Sequence, residues 1–279
     1  MKVAVIGAGA MGSGIAQTCA LAGHEVTLLD TDHGALERAE KTMRGSLARM
    51  VKKETIDKAA ADEAMTRVTA RHGISGLEDA GVIIEAVFES LEVKREVWGQ
   101  LAAITSKGAL LATNTSSLSV TAIAEFSGRP ERFCGMHFFN PVPMMALVEV
   151  VRGLRSSEEA VEQARAFAEG IGKTPIVCED KPGFIVNRLL VPYINDAIHA
   201  LSEGVASAED IDRAMKLGAN MPIGPLALAD LVGLDVSLAA AESLLTEFGD
   251  PKFRVAPLLR QMVRAGKLGR KSGEGFYNY

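Results

Sequence analysis

A histidine and a glutamate lie twelve residues apart in a segment that otherwise has the composition of two buried strands. In CGMHFFNPVPMMALVEVV, residues 134–151, His137 comes before and Glu149 after a turn that contains two prolines. A parallel return would need about a dozen or more connecting residues, so the second strand should run antiparallel to the first. Pro143 stands midway between the two positions, and a hairpin folded about it would place the two side chains opposite each other.

Such a pair has the chemistry of a base and its orienting group. A carboxylate against one imidazole nitrogen would orient the ring and stabilise the charge that it gains with a proton, leaving the other nitrogen to act as a base. Oxidation of an alcohol by hydride transfer needs such a base for the hydroxyl proton. The alternatives are a core histidine bonded to the backbone and a glutamate that faces water on an edge strand. The mirrored spacing, together with the cofactor motif described next, favours catalysis.

A glycine-rich turn near the N-terminus has the pattern of a dinucleotide-binding loop. The sequence GAGAMG places Gly7, Gly9 and Gly12 as GxGxxG, after the strand-like run KVAVI and at the start of a helix-like run. The first glycine makes the tight turn, the second lets a pyrophosphate approach the backbone, and the third packs helix against strand. The amides of the helix start, at Ala10 and Met11, would face the pyrophosphate. A glycine turn without a ligand is the weaker alternative in this context.

An aspartate follows this turn at the spacing expected of a ribose-binding residue. Asp30 ends the second strand-like run, EVTLLD, 18 residues after Gly12. Its carboxylate would accept hydrogen bonds from the ribose diol and repel a 2′-phosphate. The neighbours Thr31 and Asp32 offer no cation, so the sequence predicts NAD and not NADP.

The elements that must position these residues alternate between strand and helix in the first part of the chain. This rhythm predicts an α/β fold with a Rossmann-type doubly wound, mostly parallel sheet over residues 1–181. Residues 34–72 are too long and charged for a plain crossover helix, and we interpret them as a helical hairpin projecting from the sheet. After KPGF every segment is helix-like, which predicts a second, all-α domain over residues 182–279.

Composition excludes several classes of protein. The chain has 279 residues, 48% of them hydrophobic, and a net charge of −5, which does not favour nucleic-acid binding. No apolar run approaches the roughly 18 residues of a membrane span, and the N-terminus lacks the pattern of a signal peptide. The three cysteines form no CxxC pair, so we expect neither a metal site nor a disulfide framework. A reducing cytoplasm would suit them.

Several longer segments carry a resemblance to a known family. They are VIGAGAMGSGIAQ, NTSSL, HFFNPVPMMALVEVV, KPGFIVNRLL, DIDRAMKLG and GRKSGEGFYNY, and they extend from the first strand to the last residue. Together they resemble the L-3-hydroxyacyl-CoA dehydrogenases, above all the short bacterial members that act on 3-hydroxybutyryl-CoA. The combination of HFFNPV, LVEV and PGFIVNR is highly specific, whereas the glycine turn alone is not.

The resemblance implies roles for the residues of the reaction site. His137 would be the general base and Glu149 would orient it. Ser116, the first serine of NTSSL, would contact substrate and nicotinamide, although serine is also a common cap at a strand end. Asn187 would complete the site with its amide facing the cleft between the domains, and Asn140 would lie on the nicotinamide side.

It also implies binding roles at the periphery. Glu89, Lys94 and Lys271 match cofactor-side positions, although by themselves the first two could be a solvated charged pair. Ser46 and Lys53 share a helix face, where the family binds the CoA moiety. A lysine on a solvated helix is the alternative, and Lys52 could serve instead.

The implied activity is reversible NAD-dependent oxidation of a (S)-3-hydroxyacyl-CoA by a cytoplasmic enzyme without a mitochondrial presequence or a fused hydratase. The C-terminal helices would form a homodimer interface. Two alternatives keep the fold: another hydroxy substrate, such as 3-hydroxyadipyl-CoA or a free hydroxy acid, and a non-catalytic NAD-binding protein.

Overall fold

One eight-stranded sheet organises the first of two units, Met1–Lys181, in a computed structural model that describes every residue from Met1 to Tyr279. Its strand order is β3-β2-β1-β4-β5-β6-β7-β8, and all neighbours are parallel except β6 and β7. The strands are β1 Lys2–Ile6, β2 Glu25–Asp30, β3 Val68–His72, β4 Val82–Glu85, β5 Leu110–Thr113, β6 Phe133–Phe138, β7 Leu147–Arg152 and β8 Thr174–Glu179.

The central strands are buried on both faces, as expected for parallel strands that helices cover on either side. β4 and β5 are buried at every residue, and β1 at every residue after Lys2. The helices of this unit are α1 Ala10–Leu21, α2 His33–Lys52, α3 Lys58–Thr66, α4 Leu91–Ile104, α5 Val120–Phe126 and α6 Glu158–Gly170. The mostly parallel Rossmann-type sheet predicted from the sequence is therefore confirmed.

The antiparallel pairing of β6 with β7 was also predicted correctly. The register opposes Gly135 to Val151 and Phe138 to Val148, which places His137 directly opposite Glu149. The short connection leaves no room for a crossover helix, so the chain must reverse at this edge of the main parallel set.

The predicted helical hairpin over residues 34–72 is shorter in the structure, where its helices end at Thr66. Its last part, Val68–His72, is strand β3, which pairs in parallel with β2 and forms the edge of the sheet. The first helix, α2, packs against the core through a stripe of apolar side chains spaced three or four residues apart, as a helix with one buried face requires. These side chains are Leu36, Ala39, Met43 and Leu47.

The second unit, Pro182–Tyr279, is all helical apart from isolated bridges near its end. Two buried aspartates organise it: Asp212 accepts hydrogen bonds from the first amides of α9, and Asp230 accepts them from Phe276 and Tyr277 in the tail. None of the helices in the chain combines the length and the apolar character needed to cross a bilayer. The helices of this unit are α7 Val186–Ser202, α8 Ala208–Gly218, α9 Pro225–Val232, α10 Leu234–Phe248 and α11 Pro257–Arg264.

Candidate active site

A buried histidine–glutamate pair lies on the two antiparallel strands. His137 Nδ1 is 2.7 Å from Glu149 Oε2, and the two residues are 6% and 0% exposed. Because a carboxylate only accepts, Nδ1 carries the proton of this hydrogen bond, and in the neutral imidazole Nε2 is then the nitrogen without a proton. The ring of Phe139 lies against the imidazole, with the centroids 4.4 Å apart. The pair thus has the fixed geometry of a base with an orienting carboxylate.

The turn between these strands is held by a lysine that sequence reasoning missed. Lys173 Nζ donates to the carbonyl oxygens of Val142 and Met145, at 2.5 and 2.8 Å. The side chain is almost fully buried, and burial lowers the pKa of its ammonium group. Asn140, the predicted nicotinamide-side contact, is exposed at the start of this turn. A lone lysine before a strand gives no sequence signal that it will fold inward.

The glycine turn has the geometry that its motif predicts. Gly7 has φ of +101°, and a Cβ there would lie 2.6 Å from the carbonyl oxygen of Ala86. A Cβ on Gly12 would lie 1.7 Å from the Gly7 oxygen, so the start of α1 can approach β1 only with glycine. A Cβ on Gly9 would meet nothing within 4 Å, and no side chain caps α1. Backbone amides at Ala10 and beyond are therefore open to an anion such as a pyrophosphate.

Asp30 lies beside this turn at the end of β2. Its Oδ2 accepts from the Ala8 amide at 2.7 Å, and its Oδ1 accepts from the Asp32 amide at 2.9 Å. The carboxylate is half-buried and fixed next to the glycine turn. The open amides and this carboxylate fit a dinucleotide, with the pyrophosphate at the start of α1 and the adenosine ribose at Asp30.

Ser116 lies in a turn after β5 that one glutamate oxygen organises. Glu89 Oε1 accepts from the Thr115 hydroxyl at 2.6 Å and from the amides of Ser116 and Ser117 at 2.9 and 3.0 Å. Burial opposes the ionisation of Glu89, but the charge of Lys94 and these hydrogen bonds outweigh it, and the net effect is a lowered pKa. Glu89 thus fixes the backbone that presents Ser116.

Lys94 is not part of a solvated pair, and it does not reach the surface. Its Nζ lies 2.5 Å from Glu85 Oε1 and 3.6 Å from Glu89 Oε2, and its side chain is fully buried. Glu85, at the end of β4, also accepts from the Thr113 hydroxyl and the Trp98 indole. The side chain of Lys94 therefore stands behind Glu89. We missed Glu85 because a glutamate that ends an apolar strand looks like its solvent-facing end.

Asn114 links the Ser116 turn to the histidine strand. Its side-chain oxygen accepts from the amide of Phe138 at 2.9 Å, next to His137. Its backbone amide donates to the carbonyl oxygen of Glu85. The available signal was its position directly after a buried strand, at the edge of the sheet where parallel strands end.

The remaining predicted residues lie elsewhere. Ser46 is half-buried within α2, whereas Lys52 ends that helix and Lys53 follows it, both exposed. In the second unit, Asn187 lies in the first turn of α7, and Lys271 pairs with Asp235 at 2.5 Å. No three histidine, cysteine, aspartate or glutamate side chains are grouped as a metal site.

Comparison with known proteins identifies the family. Residues 2–181 match the model of the 3-hydroxyacyl-CoA dehydrogenase NAD-binding domain, and residues 183–279 match that of the C-terminal domain. A 3-hydroxybutyryl-CoA dehydrogenase of Clostridioides difficile is 48% identical over 279 residues, covering 100% of this chain and 99% of the relative. A mitochondrial hydroxyacyl-coenzyme A dehydrogenase of Rattus norvegicus is 44% identical, covering 99% and 90%.

Solved structures agree. The crystal structure of (S)-3-hydroxybutyryl-CoA dehydrogenase from Ralstonia eutropha is 47% identical and superposes with a TM-score of 0.96, covering 100% of this chain and 98% of that one. The chain therefore belongs to the 3-hydroxyacyl-CoA dehydrogenase family, and it is an NAD-dependent oxidoreductase.

Proposed function

We propose that this family member catalyses the reversible oxidation of (S)-3-hydroxybutyryl-CoA to acetoacetyl-CoA with NAD. The observation that carries the proposal is the buried pair of His137 and Glu149, 2.7 Å apart, on the sheet that also carries the dinucleotide-binding turn. The relatives named for the four-carbon substrate are similar to this chain over nearly their whole length, which supports the acyl group proposed.

The residues of this chain transfer a proton and stabilise the charge that the transfer creates. His137 Nε2 takes the proton of the substrate hydroxyl, and Glu149 stabilises the imidazolium that results. NAD, when bound, would supply the acceptor for the hydride that leaves the hydroxyl-bearing carbon. In the reverse direction the imidazolium returns the proton to the keto oxygen. The hydrogen bond to Glu149 keeps the ring in one orientation throughout, so that Nε2 always faces the reacting oxygen.

The other predicted residues keep binding roles in this proposal. Ser116 and Asn187 contact the substrate, with Ser116 also on the nicotinamide. Asn140 and Lys271 contribute to cofactor binding. Glu89 contributes through the turn that it holds, and Lys94 contributes through its charge beside Glu89. Ser46 and Lys53 bind the CoA moiety, with the lysine near a phosphate.

Turnover of NADH with a set of oxo substrates tests the proposal. Acetoacetyl-CoA should be reduced. For 3-oxoadipyl-CoA and free acetoacetate the value of kcat/KM should be lower by at least about tenfold, which corresponds to about 1.4 kcal/mol of lost binding. A series of four-, six- and ten-carbon 3-ketoacyl-CoA substrates then ranks chain length. Preference for the dicarboxylic or the free acid would move the substrate assignment within the fold. Turnover of none of them would favour a non-catalytic NAD-binding protein.

We also propose a homodimer formed through the C-terminal helices, in the cytoplasm. Large apolar side chains on α8, α9 and α10 are exposed in the single chain, among them Leu217, Leu231 and Val236. Apolar surface of this kind supports an interface. Sedimentation equilibrium of the wild type and of Leu231→Glu measures the dimer directly. The thiols of Cys19 and Cys134 are buried and Cys178 is half-buried, which suits a reducing compartment.

A further inference from the structure

A cation that the sequence pattern did not reveal lies next to the ribose end of the cofactor site. Arg38 is six residues beyond Asp32, in the second turn of α2, yet its guanidinium folds back to the β2–α2 turn. Its Nη2 donates to Asp32 Oδ2 at 2.9 Å. The amide of Asp32 in turn donates to Asp30 Oδ1. A guanidinium is thus bound to Asp32, two residues beyond the carboxylate that fits the ribose.

We infer that Asp32 is a second specificity-determining residue for the cofactor, because it engages Arg38 and so denies a 2′-phosphate the guanidinium that would bind it. This inference rests on the use of NAD by this site. In dinucleotide-binding folds an acidic residue at the end of β2 selects the ribose diol, and an arginine nearby accommodates the 2′-phosphate of NADP. Here both components are present, and a second carboxylate occupies the arginine.

Each carboxylate oxygen of Asp32 has one partner. Oδ1 accepts from the Gly34 amide at 2.8 Å and so caps α2, while Oδ2 accepts from the guanidinium of Arg38. The hydrogen bond from Arg38, followed by that from Gly34, lowers the pKa of Asp32, so the group stays ionised at neutral pH. With Asp30 it leaves two negative charges against one positive charge at this turn. A phosphate would therefore meet net repulsion there in spite of the arginine.

The turn itself is fixed, so the pairing does not depend on a loose loop. His72, which lies opposite Asp30 in the register of β3 with β2, bonds through Nε2 to the carbonyl oxygen of Thr31 at 3.0 Å. Its ring stacks on that of His33 with the centroids 4.1 Å apart. Arg38 and Asp32 themselves are well exposed, with side chains 71% and 59% accessible. The pair is thus open to solvent and to a ligand, while the backbone beneath it is held in place.

The substitution Asp32→Asn isolates the charge from the helix cap. The asparagine oxygen can still accept from the Gly34 amide, since asparagine caps helices as well as aspartate does. Its amide nitrogen cannot accept from Arg38, so the guanidinium is released. Asp32→Ser provides the same test if the asparagine variant does not fold, because serine also caps.

The test is a double-mutant cycle on cofactor binding, with wild type, Asp32→Asn, Arg38→Ala and the double variant. Dissociation constants for NADH and NADPH are measured by nucleotide fluorescence without acyl-CoA, so the result does not depend on turnover. We expect Asp32→Asn to tighten NADPH on the order of fivefold, as for an exposed ion pair, with NADH changed less than about twofold. Arg38→Ala alone should leave NADPH almost unchanged, and the double variant should lose most of the gain. Added salt should reduce the gain as well.

Two results would overturn the inference: no tightening of NADPH by Asp32→Asn or Asp32→Ser, or the same tightening with and without Arg38. The first would show that Asp32 does not oppose the phosphate, and the second that its carboxylate acts by itself. Neither touches the proposed dehydrogenase activity, which fails separately if all four proteins bind NADH and none reduces acetoacetyl-CoA. Thermal unfolding of each variant confirms that the fold is retained.

Discussion

The coupling between His137 and Glu149 can be measured as an interaction free energy from a double-mutant cycle on kcat. In the structure the carboxylate makes a 2.7 Å hydrogen bond to Nδ1 within a fully buried site, where water cannot replace it. Hydrogen bonds to charged groups contribute roughly 1.5–3 kcal/mol. If this contribution appears only when the imidazolium forms, Glu149→Gln should lower kcat about 10- to 100-fold, at about 1.4 kcal/mol per tenfold.

The loss would be larger if the glutamine amide turns its nitrogen toward the ring. Nδ1 would then have to accept, Nε2 would carry the proton, and the base would be in the wrong tautomer. The corresponding substitution in a serine protease triad, Asp→Asn, costs about 10⁴-fold for this reason. A drop beyond about 100-fold would therefore identify the tautomer, and not the lost charge, as the main effect.

The assay is reduction of acetoacetyl-CoA at saturating NADH, followed by NADH absorbance, for wild type, His137→Gln, Glu149→Gln and the double variant. His137→Gln should lose about 10²–10⁴-fold as a general base, with NADH binding retained. Adding Glu149→Gln to it should cost little more, because residues that act as a unit are non-additive. Simple multiplication of the two losses would refute the pairing.

Stability must be measured beside the rates, since leaving a buried polar group without its hydrogen-bond partner typically costs about 1–3 kcal/mol. Urea unfolding of all four proteins separates this effect from catalysis. Glu179→Gln, which removes an exposed carboxylate from the adjacent strand β8, is the matched control. It should change neither kcat nor stability beyond about twofold and 0.5 kcal/mol.

Three further predictions follow from single side chains. Lys53→Ala should raise KM for acetoacetyl-CoA at low salt with kcat unchanged. The control Lys41→Ala, which removes an exposed lysine of α2, should leave KM unchanged. Equal KM values for the two variants would show that Lys53 is only a solvated side chain. Glu89 has a lowered pKa, so the stability it adds is present above pH 4.5, the ordinary value, and is lost as pH falls through the folded value. The difference in unfolding midpoint between wild type and Glu89→Gln should therefore shrink in acid, and a constant difference would contradict this. Lys173→Met should destabilise by about 2–4 kcal/mol through two unsatisfied carbonyls, while the exposed Lys107→Met should be neutral in the same urea titration.

The register of the histidine–glutamate pair could be predicted because it depends on short-range rules. A connection too short for a crossover forces an antiparallel return, and the side chains of a strand alternate with a fixed period, so His137 and Glu149 could be placed opposite each other from spacing alone. The glycine turn is similarly local, since Gly7 and Gly12 touch within one strand–turn–helix unit. The ribose-binding position of Asp30 could be predicted from its spacing after the glycines of that unit.

The contacts that the sequence did not reveal are made by long side chains whose partners lie several residues away or on another element. Lys94 lies in the first turn of α4 among charged neighbours, yet it is buried against Glu85 on another element. Arg38 was overlooked as a cation near Asp30 because it stands six residues beyond Asp32, and only the folded-back rotamer brings them together. The hairpin over residues 34–72 was overestimated for a related reason. Val68–His72 alternates too weakly to identify as a strand until its pairing with β2 is known.

Glu89 and Lys173 have a common structural role, which is to fix turns. The pair of His137 and Glu149 stands on strands, whose backbone hydrogen bonds hold it. The proposed contacts at Ser116 and Asn140 stand on loops, which have no such support. Glu89 holds the turn of Ser116 through backbone amides, and Lys173 holds the turn after Asn140 through backbone carbonyls. A free loop would lose ordering entropy at every binding event, whereas these loops are ordered by folding once. Substitutions at Glu89 and Lys173 should therefore weaken binding of cofactor and substrate although neither residue serves as the base.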